Sequence, residues 1–166
     1  MAEGRAVADS SFTYAVGRLT LWSADPALLA ERGADVLLSD GLRHLAIANP
    51  DLAPYGAAAR AVLQQLGLWD ELQPRLVRGE NIAQTFQFVA TGNAELGLVA
   101  LSQLMQSGRH RQGSLWQVPG TLHKPIEQQA VLLSDSTAAA DFMRFAKSEH
   151  AHTIIRGFGY GIPDVQ

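Results

Sequence analysis

Two short stretches of this sequence place residue types suited to holding an anion where the chain turns from a strand into a helix. They are NPDLAPYG at residues 49–56 and GENIA at residues 79–83. A helix start leaves its first backbone amides without intrahelical acceptors and carries partial positive charge. Two such starts converging on the C-terminal edge of a sheet therefore form an anion site with no lysine or arginine. Pro54 suits the entry to a helix, where its missing N–H would have been unpaired anyway. Gly56 has no side chain to keep a ligand from the backbone, and Asn49 and Asn81 are short enough to fix the turns by side-chain hydrogen bonds. Ordinary capped helices with solvated ends are the alternative reading of the same spacing.

The elements that must position these stretches alternate along the chain. RLTLW (18–22) and LAIA (45–48) read as strands, with a short helix expected over 26–31 between them. Residues 55–66 carry Ala59, Val62, Leu63 and Leu66 on one helical face, and Gly67 is placed to stop them. A strand over 75–77, a helix over 82–90 and a strand over 96–101 follow, with two further strands at 116–118 and 129–133. This order predicts an α/β fold with a parallel or mostly parallel sheet covered by helices on both sides. The tail differs. Ser136 or Thr137 can cap a helix bearing Phe142, Phe145 and Ala146, and a second helix over 149–156 presents Ile154 and Ile155. These two helices bury little against each other, so their apolar faces need another surface.

Composition narrows the function classes. The 166 residues are 47% hydrophobic, enough for one globular domain with room for a smaller appendage. A net charge of −3 and no dense basic stripe argue against nucleic acid as a partner. There is no cysteine, and His44, His110, His123, His150 and His152 show no metal-ligand spacing on a common helix face. No nucleophile elbow, zinc helix or phosphate-cradling lysine loop is present, so neither catalytic residues nor a cofactor are expected. The glycine cluster at 157–161 follows a helix and reads as terminal turns. No apolar run reaches the length of a membrane span, and the MAEGR start lacks a signal-peptide core, so the chain as written is expected in the cytoplasm.

Several blocks in order resemble the periplasmic molybdate-binding proteins of molybdate ABC transporters, which are type II periplasmic binding proteins. They are FTYAVGRLTLWSADP (12–26), HLAIANPDLAPYGAAA (44–59), ATGNAELGLVALSQ (90–103), PIEQQAVLL (125–133) and FMRFAKSEHAHTIIRGFGY (142–160). The resemblance implies two α/β lobes joined by crossing strands, here 13–22 and 129–133, with an oxyanion held between the lobes. On that scheme residues 1–12 are a remnant of a first-lobe segment. Residues 13–135 are the second, anion-binding lobe with both crossings, and 136–166 are C-terminal helices of first-lobe type. The resemblance further implies that the backbone amides of Tyr55 and Ile82 hold molybdate or tungstate, with Pro54, Gly56 and Asn81 in support. Some members add a tyrosine hydroxyl near the third strand, where this sequence reads LVAL at 98–101. First-lobe hydroxyl ligands would precede the start of this chain, which then carries half a site, and Ser10 and Ser11 do not replace them. The implied partner is a membrane ABC permease, and the implied location of the intact protein is the periplasm. Exposed C-terminal helices imply self-association. A ligand-sensing or interaction module of the same fold is the alternative, and it would need a fused DNA-binding segment.

Overall fold

A computed structural model describes residues 6–29, 32–108 and 112–163. Its elements run β1 (Phe12–Gly17), β2 (Leu19–Ser23), β3 (Leu45–Ala48), α1 (Pro54–Gln65), α2 (Trp69–Leu72), β4 (Leu76–Gly79), α3 (Ile82–Ala90), β5 (Leu96–Ala100), α4 (Leu101–Ser107), β6 (Ser114–Gln117), β7 (Ile126–Ala130), α5 (Thr137–Ala146) and α6 (Glu149–Gly157). The chain divides into two compact units. Unit one is Met1–Gly17 with Glu127–Gln166, and unit two is Arg18–Ile126.

Unit two is built on a five-stranded sheet in the order β4-β3-β5-β2-β6. Strand β3 is parallel to both β4 and β5, whereas β2 is antiparallel to β5 and β6. The sheet is therefore mixed, and the mostly parallel arrangement expected from the sequence holds only for its βαβ half. Strand alternation sends side chains to two cores. Leu45 and Ile47 of β3, Leu96 and Leu98 of β5, and Leu19 and Leu21 of β2 join Ala58, Ala59, Val62 and Leu63 of α1 on one face. Ala46, Val99 and Trp22 join Phe86 and Val89 of α3 on the other. Because helices cover both faces, β2, β3 and β5 are buried along their whole length. The Trp22 and Phe86 rings stack at 5.3 Å between centroids.

Unit one holds the two-stranded sheet of β1 and β7, together with α5 and α6. Val16 and Gly161 exchange both backbone hydrogen bonds at 2.8 Å. Ser10 Oγ donates to Val7 O at 2.7 Å and accepts from Leu132 N at 3.1 Å, so this hydroxyl closes a local turn. Ser136 and Ser148 cap α5 and α6 by accepting from Ala139 N and Ala151 N.

Several elements differ from the sequence expectation. The outward run 13–22 is two strands, because the chain changes sheets at Gly17–Arg18: β1 pairs with β7, and β2 enters the larger sheet. The return strand lies at Ile126–Ala130, three residues ahead of the expected 129–133. The helix expected over 26–31 is a turn through residue 29, with residues 30 and 31 outside the described set. A 3-10 helix follows at Gly33–Leu38.

Candidate functional site

The parallel pairing of β3 with β4 sets Ala48 opposite Gly79, so the turns that follow the two strands leave the sheet side by side. Asn49 N donates to Gly79 O at 2.7 Å and ties those turns together. Beyond that bond the chain enters α1 on one side and α3 on the other, both helices starting at the C-terminal edge of the parallel strands. Strand β5 ends at the same edge and runs directly into α4.

The turn before α1 is organised by Asn49. Its Oδ1 accepts from Asp51 N at 3.0 Å, and its carbonyl accepts from Leu52 N and Ala53 N at 3.2 and 3.0 Å. Ala53, the N-cap, is extended and supplies no side-chain cap, and Pro54 occupies the first turn. Gly56 N and Ala57 N both donate to Ala53 O. Tyr55 stands in that turn with its side chain packed in the α1 core. Gly56 meets a packing requirement. A Cβ there would collide with Ala48 O and lie 2.5 Å from Asn49 O, so the missing side chain lets α1 press on the end of its own strand. The space a side chain would take is filled by backbone.

The turn before α3 is capped differently. Asn81 Oδ1 accepts from Gln84 N at 3.0 Å, while Gln84 Oε1 accepts from Glu80 N at 2.7 Å. Reciprocal bonds of this kind satisfy the third amide of the helix and fix the turn. The first two helical amides, those of Ile82 and Ala83, have no acceptor among the described residues. Thr85 Oγ1 donates to Asn81 O at 2.9 Å and sits 2.8 Å from where a Gly79 Cβ would be, so Gly79 must stay bare for the turn to close.

Sequence reasoning missed α4, having run the strand to Leu101. Gln103 in its first turn accepts from Ala100 N at 3.3 Å through Oε1 and donates to Ile82 O at 3.1 Å through Nε2. Leu101 N donates to Arg18 O at 2.9 Å, which joins the start of α4 to the start of β2. A Gln three residues after the N-cap is a known helix-start signal and could have marked this element.

The donors at this edge are backbone N–H groups. Of the charged side chains in the two turns, Asp51 is paired with Arg60 at 3.2 Å, and Glu80 is exposed. Elsewhere, among the described residues, no group of three or more His, Asp or Glu side chains is placed to hold a metal. His110 lies outside the described residues. Such an edge can hold a small anion by hydrogen bonding, and it brings no nucleophile and base together.

Known proteins resemble this chain in sequence and in fold. The sequence pattern of the family described as bacterial extracellular solute-binding protein matches residues 1–161. The chain is 52% identical over 163 residues to the molybdate-binding protein ModA of Azotobacter vinelandii, and 51% identical over 161 residues to that of Rhodobacter capsulatus. These alignments take in 96% and 95% of the chain but only 64% and 62% of the relatives' lengths. The solved periplasmic molybdate-binding protein of Azotobacter vinelandii superposes with a TM-score of 0.86 at 41% identity, over 98% of this chain and 72% of that one. With most of its length matched in sequence and in fold, the chain belongs to the bacterial extracellular solute-binding protein family.

Proposed function

We propose that this chain serves the uptake of molybdate or tungstate, holding the oxyanion at the edge of unit two. The backbone amides of Tyr55 and Ile82 are the donors, with Pro54, Gly56 and Asn81 shaping the turns. The bond from Asn49 N to Gly79 O carries this reading, because it brings two helix starts to one place. A fully deprotonated tetrahedral oxyanion presents only acceptors, which suits a site of amide donors. A protonated phosphate brings an O–H donor that backbone amides cannot accept. The 52% identity to a molybdate-binding protein supports the choice of anion. In the intact protein the location is the periplasm and the partner a membrane ABC permease. The exposed apolar side chains of α5 and α6 support self-association of this chain.

Calorimetric titration tests the reading. Molybdate and tungstate bind in preference to phosphate, and more weakly than micromolar, because the two helix starts of unit two reach only part of an anion with four oxygens. Phosphate binding equal to molybdate binding contradicts the donor-only site. Submicromolar affinity contradicts a site made of these two starts alone.

A further inference from the structure

We propose that Gln103 is a positioning residue for the anion-facing turn of α3, an inference that rests on the site proposed above. Its carboxamide bridges two backbone groups: Oε1 accepts from Ala100 N at 3.3 Å and Nε2 donates to Ile82 O at 3.1 Å. The first bond is an ordinary helix-start contact, and α4 would be served as well by any acceptor there. The second reaches out of α4 to a different helix, 21 residues back in the chain.

The target of that second bond gives Gln103 its role. Ile82 C=O and Ala83 N–H belong to one planar peptide unit, so holding the carbonyl sets the direction of the Ala83 amide, a further donor in the same turn beside the Ile82 amide of the proposed site. A carbonyl has a second lone pair, which lets Ile82 O accept from Gln103 without giving up its helical bond. The cap of α3 does not supply this restraint. Asn81 is engaged with Gln84 N, and Gln84 with Glu80 N. Gln103 is half-buried between α3 and β5, where its donor competes little with water. The start of α4 is itself anchored through Leu101 N to Arg18 O, so the carboxamide works from a fixed base.

The test is an amide-resolved NMR titration of the 166-residue chain with sodium molybdate, comparing wild type, Gln103→Met and Thr91→Ala. Methionine fills similar volume without either hydrogen bond. Thr91, whose hydroxyl bonds Gln87 O at the far end of α3, controls for mild loosening of that helix. In wild type, molybdate shifts the Ile82 and Ala83 amides. In Gln103→Met those shifts shrink and the apparent Kd weakens roughly fivefold, the scale of one hydrogen bond, while the Tyr55 amide still responds. Thr91→Ala behaves as wild type. An unchanged response in Gln103→Met, or an equal loss in Thr91→Ala, overturns the positioning role and leaves the site standing. No response at any amide in wild type overturns the site itself, and the role of Gln103 with it.

Discussion

At the scale of single residues, backbone amides and short polar side chains dominate this structure, and one carboxylate stands apart. Glu95 precedes β5, accepts from His44 N at 2.8 Å, and pairs with Arg43 at 2.7 Å. Partial burial pushes its carboxyl up, but the bonds from the His44 amide and the Arg43 side chain outweigh that and hold it below the usual carboxylate range. A lowered folded value means that Glu95 stabilises the fold above its unfolded value, about 4.3, and that this contribution is lost as pH falls through the folded value. Arg43 is 78% exposed, so solvent screens its share of the stabilisation. Urea unfolding of Glu95→Gln at neutral pH should show a loss of about 1 kcal/mol, shrinking toward zero in acid. A gap that stays constant with pH would contradict this account. Pro54, Asn49 and Asn81 were legible in the sequence because turn and cap chemistry is local. Gln103 was not, because its meaning lies in a carbonyl on another helix.

At the scale of elements, the site depends on how closely α1 seats on β3. Gly56→Ala would drive a methyl group into Ala48 O and Asn49 O, which are backbone atoms and cannot rotate away. We expect a loss on the order of 2 kcal/mol, seen as a lower thermal midpoint, and unchanged stability would show that the helix can lift from its strand freely. The elements read correctly from sequence are those with a strong local pattern. LAIA is buried on both faces as β3, and the apolar stripe of α1 and the capped start of α3 lie where their periodicity put them. The failures have one cause. Whether a strand ends, bends or changes sheets depends on its neighbours, so the break at Gly17–Arg18, the turn from β5 into α4 and the register of β7 were not encoded in local pattern. The mixed sheet was hidden for the same reason, since strand direction is a property of pairing.

At the scale of the whole molecule, the two units differ in how well they bury their apolar residues. Unit two encloses two cores, while in unit one α5 buries no residue and α6 only Ala151. Phe142 is 66% exposed, and Leu133, Phe145, Ile154 and Phe158 are exposed as well. Apolar surface of this kind promotes association. Sedimentation velocity should show concentration-dependent self-association that Phe142→Ser with Phe158→Ser reduces, and a monomer at every concentration would contradict the expectation. For unit two we propose that the starts of α1 and α3 present backbone donors to one anion. The most direct measurement follows every backbone amide of the wild-type chain by NMR as molybdate is added, with phosphate as the comparison. The account predicts that the largest molybdate-induced shifts fall on Tyr55 and Ile82 together, along one binding curve, with little response to phosphate. Shifts scattered over basic side-chain neighbourhoods, or absent from both helix starts, would contradict it.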